Sequence, residues 1–209
     1  MTEIILASSS PRRSMLLRQA GIPFHVYTPQ VAENEAAAAH PADLVKSLGI
    51  RKAEKTLDDL SASMFGKEII IISADTVVSI EGRVMGKPCD QTEAFHMLQA
   101  LQGKCHQVYT GMTVVHKKDN DVRFLNYTDN TLVYMKPLNE SEIWDYINTG
   151  EPMDKAGAYG IQERGAFLIE KIEGDYFTVV GLPLTKLYAA LKECGINPLT
   201  FPSHSPAAH

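Results

Sequence analysis

The sequence predicts an α/β protein built on a large mixed sheet. Helix-like and strand-like segments alternate along the chain, several strand-like runs come in pairs joined by a short polar turn, and neither a repeat nor a long linker breaks the pattern. Paired strands fit a mixed sheet better than a parallel, doubly wound one. With 209 residues, 44% of them hydrophobic, the chain can bury a substantial core as one domain or as two closely packed lobes.

The elements follow in order. "EIILAS", residues 3–8, reads as a buried strand and "PRRSMLLRQAG", residues 11–21, as a helix. Pro11 suits the first turn because its missing N–H would be unpaired there, and Ser9 or Ser10 can cap the freed amides. Met15, Leu16, Leu17 and Ala20 turn towards the core, and Gly21 stops the helix. "FHVYTPQV", residues 24–31, predicts a second strand, and the alanine-rich "AENEAAAAHPA", residues 32–42, a mobile loop. A long helix over 42–60 carries Leu44, Leu48 and Ala53 among its apolar positions, with Gly49 as a mild local weakness. Residues 67–85 contain a near-continuous apolar strand over 69–72, a polar break at 73–76, and a hairpin around Glu81 and Gly82.

Asp90 as N-cap, Glu93 three residues on, an apolar stripe and Gly103 mark an amphipathic helix. Residues 106–135 read as two long strands joined across "KKDND" as an antiparallel hairpin. "NESEIWDYINTG", residues 139–150, is a capped helix ending at Gly150; residues 166–181 predict another hairpin, and "PLTKLYAALKECG" the last helix. Residues 197–209 read as a frayed tail.

Composition removes several function classes. No apolar run approaches a membrane span, and "MTEIILASSS" has an acidic residue where a signal peptide carries basic ones, so a cytoplasmic protein is expected. Cys89, Cys105 and Cys194 form no CxxC pair and leave an odd count, against a disulfide framework or a zinc knuckle. The seven histidines lack ligand spacing, so any metal would be held by oxygen. A net charge of -5 argues against a broad nucleic-acid surface, but converging arginines and lysines would make a small positive cavity suited to a compact polyanion.

Short polar islands carry the chemistry, since Walker A, GxGxxG and GxSxG sequences are absent. In "LASSSPRRSML", Arg12 and Arg13 stand beside the amides of a helix start, an anion site unless both lie on a solvated face. Asp75 follows an apolar strand, where a carboxylate either binds a cation, works at a strand end, or caps a turn. Lys87 in "MGKPCD" lies in a turn, where a lone lysine is ordinarily solvated. "DKAGAYGIQ", residues 154–162, sets Asp154, Lys155, Tyr159 and Gln162 among small residues, as a binding loop does, although its glycines also serve turn geometry.

Taken together, "LASSSPRRSMLLRQAGIPF", Glu33 after "TPQVA", Lys52 in "IRKAEK", "SADTVV", "GKPCD", "HQVYTGMTVV", "EPMDKAGAYGIQ" and "VVGLPL" resemble, in order, the Maf family of nucleoside triphosphate pyrophosphatases. The resemblance covers nearly the whole chain. It implies an inosine-triphosphatase-like (Maf/Ham1) α/β fold, elongated, with flanking helices and a cleft between two lobes. A single catalytic domain over 1–196, a flexible tail over 197–209 and a homodimer are implied with it. The implied reaction is hydrolysis of a nucleoside triphosphate to the monophosphate and pyrophosphate with a divalent metal, Mg²⁺ or Mn²⁺.

Residue by residue, the resemblance implies a phosphate cradle of Ser8, Ser10, Arg13, Lys52 and Lys87, with Asp75 as the base that activates water and Glu33 and Asp75 sharing the metal. Arg12, Thr76 and Gln162 look like the subgroup that acts on dTTP and UTP. Neighbouring helical residues are rotated by about 100°, so Arg13 is expected to face the phosphates and Arg12 the base. The chain departs from the family at Ala32-Glu33, where members often carry Asp-Glu; Glu35 is the residue that would compensate. Two other readings share these observations: a house-cleaning pyrophosphatase for inosine or xanthosine triphosphate, and a division-linked regulator that works by binding.

Overall fold

The computed structural model describes residues 2–31, 40–61 and 66–201. Glu33 and Glu35, and most of the stretch read as a mobile loop, lie outside the described residues.

A seven-stranded mixed sheet runs through the molecule in the order β2-β1-β3-β5-β6-β7, with β4 also on β3. β1 (Glu3–Ala7) leads into α1 (Pro11–Gln19) and the short β2 (His25–Tyr27), and α2 (Pro41–Leu60) then crosses to β3 (Ile69–Ile80). β1 pairs in parallel with both β2 and β3; every other pairing is antiparallel. Glu81 and Gly82, both at positive φ, turn β3 tightly into β4 (Arg83–Met85). α3 (Gln91–Leu101) precedes the long hairpin of β5 (Cys105–Lys118) and β6 (Asp121–Met135). α4 (Glu140–Ile147), β7 (Ile169–Glu173), α5 (Tyr176–Val180) and α6 (Leu184–Glu193) complete the chain order, with 3-10 turns between and after them.

The strand pleat decides which helix meets which residue. On β3, even-numbered Ile70, Ile72 and Ala74 join α1 and α6 in one apolar cluster, while Val78 and Ile80 join α3 and α4 in another. Odd-numbered Ile69, Ile71 and Val77 face α2 instead. Leu16, Leu17, Leu98 and Leu101 are fully buried, each stabilising the fold by roughly 1.5–3 kcal/mol. α2 lies very close to the sheet: a Cβ at Gly111 of β5 would stand 2.4 Å from the backbone carbon and oxygen of Val45.

Several expectations need correction. Met15 is exposed and Ala20 lies on the solvent side, because α1 turns Arg13, Ser14, Leu16 and Leu17 inwards. Ser10 holds the N-cap position of α1 without a side-chain cap; the Ser8 hydroxyl accepts from the Ser10 amide instead. The strand expected over 24–31 shrinks to three residues. The expected polar break at 73–76 does not interrupt β3, so Asp75 is a mid-strand residue and caps nothing. The segment read as a hairpin over 166–181 is β7, paired with β6, followed by helix α5, which Asp175 caps through its carboxylate on the Phe177 amide. Of the stretch read as a tail, Pro198–Thr200 form a 3-10 turn and Phe201 packs against the core; residues 202–209 lie outside the described residues.

Candidate active site

The site opens where β3 loses a neighbour. Its first half pairs with β1 as far as Ala7 opposite Ser73, and its last residues pair with β4 from Met85 opposite Val78. Over 74–77 it has β5 on one side and, among the described residues, no strand on the other. Crevices beyond strand ends at such discontinuities are the ligand sites of open α/β sheets. Here a cavity of about 740 Å³ opens, within the roughly 300–1,000 Å³ usual for small-molecule sites. Ser8, Ser10, Arg12, Arg13, Lys52, Asp75, Thr76, Lys87 and Gln162, the expected site residues among the described ones, all line it.

Consecutive residues of β3 reach the cavity from opposite faces of the sheet. Asp75 points to the α2 side, where Lys52 donates to its carboxylate at 2.5 Å, each side chain only 14% exposed. The Ser73 hydroxyl, two residues back, donates to the Gly49 carbonyl and ties α2 to the same strand. Thr76 points to the α1 side, where Arg13 donates to its hydroxyl at 3.1 Å. The Thr110 hydroxyl spends its one proton on the Thr178 carbonyl at 2.8 Å, so in the 2.9 Å contact between the two threonines Thr76 is the donor. That leaves Thr76 a pure acceptor towards Arg13.

Arg13 is buried and held on three sides. Nε donates to the Gly181 carbonyl at 2.8 Å, one terminal nitrogen to the Ser8 hydroxyl at 3.0 Å and the other to Thr76. Gly181, at φ +115, ends α5 in a backbone conformation that side-chain-bearing residues avoid. Ser8 accepts from both Arg13 and the Ser10 amide, so its own O–H is what it can still give to a ligand. Arg12 diverges as the 100° helical rotation requires and crosses the cavity to Asp154. Partial burial pulls the Asp154 carboxyl up, but hydrogen bonds from Lys155 and Arg12 outweigh it and hold the group below the usual carboxylate range. Thr76 is thus joined to Arg13, not to Arg12; Gln162 is half-buried in the wall, and Lys87 is exposed at its edge. The cavity also takes in Tyr159, whose phenol meets the buried His106 ring at 2.6 Å.

Five cations, Arg12, Arg13, Lys52, Lys87 and Lys155, face two carboxylates, Asp75 and Asp154, among the described lining residues, a surplus of three positive charges in a protein of net charge -5. No cluster of three or more His, Cys, Asp or Glu stands among the described residues. A hard divalent cation still fits, because such ions are commonly held by one or two carboxylates with the remaining oxygens from phosphates and water, and Asp75 provides a carboxylate inside a cationic cavity. Three participants escaped the sequence reading: the Gly181 carbonyl, Thr110, and Asp154 as the partner of Arg12. The first was signalled by Asp175 and Gly181 flanking a five-residue segment, the cap and stop of a short helix; the others depend on contacts distant in sequence.

A family model described as Maf-like protein matches residues 3–194. The dTTP/UTP pyrophosphatase of Thermoanaerobacter sp. (strain X514) is 48% identical over 190 residues, 91% of this chain and 95% of that protein. That of Symbiobacterium thermophilum is 47% identical over 195 residues, 93% of this chain and 95% of its own length. The Ham1 protein of Staphylococcus aureus superposes with a TM-score of 0.47 at 14% identity, over 91% of this chain and 98% of that one.

Proposed function

The chain belongs to the Maf-like protein family, and from that premise we propose that it is a nucleoside triphosphate pyrophosphatase that hydrolyses dTTP and UTP to the monophosphate and pyrophosphate. The observation that carries the reading is the surplus of positive charge in a cavity of an acidic protein, which suits a compact polyanion. The names of relatives 47–48% identical over most of the chain supply the substrate class.

In this reading Arg13, Lys52 and Lys87, with the Ser8 hydroxyl and the amides near Ser10, hold the triphosphate. Asp75 takes the proton of a water whose oxygen bonds to the α-phosphorus. The bond from that phosphorus to the bridging oxygen breaks, and pyrophosphate leaves with its charge against the lysines. Arg13, fixed by Ser8, Thr76 and Gly181, needs no rearrangement to meet the developing charge, which is how preorganised donors lower a barrier. Asp75, with Glu33 of the family pattern, would hold Mg²⁺ or Mn²⁺, which would supply charge neutralisation on the phosphates. Arg12 and Gln162 face the base edge, with donors from both and an acceptor from Gln162. No helix among the described residues is long and apolar enough to cross a membrane; in this reading the protein works in the cytoplasm, where its nucleotide substrate is found, and the family resemblance supports a homodimer.

Pyrophosphate release from dTTP, UTP, CTP, GTP and the inosine and xanthosine triphosphates, each with Mg²⁺ and with Mn²⁺, tests this. We expect kcat/KM for dTTP and UTP to exceed the others by roughly 10-fold or more, a margin within reach of hydrogen-bonded base discrimination. Preference for the inosine or xanthosine nucleotide, or no pyrophosphate from any of them, overturns it.

A further inference from the structure

The Arg12 guanidinium does not hang free in the cavity. One terminal nitrogen donates to the Asp154 carboxylate at 2.6 Å and the other to the Asp154 main-chain carbonyl at 3.1 Å, so side chain and backbone of one residue grip its outer edge. The two residues stand 142 apart in sequence, one on α1 and the other on the 3-10 turn after α4, and both line the cavity. Asp154 is itself held: its second oxygen accepts from Lys155 at 2.9 Å, and the buried Lys155 ammonium also donates to the Glu151 carbonyl at 2.6 Å. The arrangement is a relay, from the 3-10 turn Glu151–Asp154 through Lys155 to Asp154 and across the cavity to Arg12.

We propose that Asp154 is a positioning residue for Arg12 and thereby sets which base the cavity accepts. The proposal rests on the reading of Arg12 as the residue that faces the base. An unrestrained arginine has many rotamers and offers five N–H donors to any acceptor, so it attracts without discriminating. With its outer edge committed to Asp154, Nε–H and one N–H on each terminal nitrogen remain, pointing in directions fixed by the grip. Only a base whose acceptors match those directions is satisfied, and a mismatched one leaves donors unpaired. The Asp154 side chain is 53% exposed and Arg12 23%, so the pair contributes little to stability and its removal should read out in selectivity instead.

The test is steady-state kinetics on dTTP, UTP, CTP and GTP for the wild type, Arg12→Ala, Asp154→Asn, Asp154→Ala and the double variant Arg12→Ala/Asp154→Ala, with thermal unfolding of each. Asp154→Ala should lower the ratio of kcat/KM for dTTP over CTP by about 10-fold, mainly through KM, with the unfolding midpoint little changed. Asp154→Asn, which keeps the shape but one acceptor oxygen for two cations, should fall between, and it carries the test alone should the alanine variant not fold. The double variant should be no less selective than Arg12→Ala, because a positioning residue has nothing to do once its client is gone. A wild-type ratio in Asp154→Ala alongside a lowered ratio in Arg12→Ala overturns the proposal. So does a further drop when Asp154→Ala is added to Arg12→Ala. A wild-type ratio in Arg12→Ala removes the base-facing reading of Arg12 and the proposal with it, a result distinct from the other two.

Discussion

A carboxylate in the middle of a strand of buried isoleucines and valines survives there only with a cation beside it, and Lys52 provides one for Asp75. Replacing Asp75 by Asn keeps the volume and an oxygen for Lys52 but leaves nothing that can take a proton. Turnover should fall roughly 100-fold or more with the fold intact, read by pyrophosphate release and thermal unfolding; near-normal turnover in a folded Asp75→Asn would remove Asp75 from the chemistry. His106 makes a different prediction. Burial lowers its pKa from 6.5 to about 4, so the folded state keeps the ring neutral where the unfolded chain protonates it. The stability this represents, on the order of 3 kcal/mol, is present above pH 6.5 and drains away as pH falls towards 4. Urea midpoints of wild type and His106→Gln between pH 7 and pH 4 should converge as the pH falls; parallel curves would mean the ring titrates normally. At this scale the sequence exposed the residue types well and their partners poorly. Arg12 and Arg13 stood out as neighbours, but that one would grip Asp154 and the other Gly181 depends on atoms more than a hundred residues away.

Elements repeat the lesson with a mechanism. "SADT" interrupts an apolar run, and the interruption looked like the end of a strand; it is instead where β3 meets the cavity, its pleat sending Asp75 to α2 and Thr76 to α1. "YFTVV" has the aromatic and β-branched residues of a strand but, between Asp175 and Gly181, folds as α5, so local caps and tertiary packing override propensity. The helices with strong periodicity and caps, α3 and α4, were legible from their N-caps onwards, although α4 ends at Ile147, short of the expected Gly150. The docking of α2 is a further test of how elements place the site. A methyl group on Gly111 would press on the Val45 backbone, which has no flexible end to yield, so α2 must shift. Lys52 lies seven residues further along that helix, about two turns. Gly111→Ala should therefore cost about 1–3 kcal/mol of stability and weaken turnover, although Gly111 itself does not line the cavity. Urea unfolding and pyrophosphate release measure the two effects, and a wild-type value for both would show that α2 has room the packing denies it.

For the molecule as a whole, the charge balance was readable in advance and its distribution was not. A net charge of -5 already implied a local basic pocket if any, but the site draws on β1–α1, α2, β3, the turn before α3 and the stretch after α4, which come together where β3 has, among the described residues, no strand on one of its two sides over four residues. That gap is bridged from behind by β5, which pairs with β3 continuously from Ile69 to Ser79, past both apolar clusters. The jaws of the cavity are thus cut into a single beam. Bringing them together would mean bending a hydrogen-bonded ladder across its length, whereas a protein of two jointed bodies would only swing. Among the described residues the span of the opening is tied to that ladder, so a nucleotide would be sized against a gap set when the sheet forms, as against a gauge, with the tips of the lining side chains left to adjust.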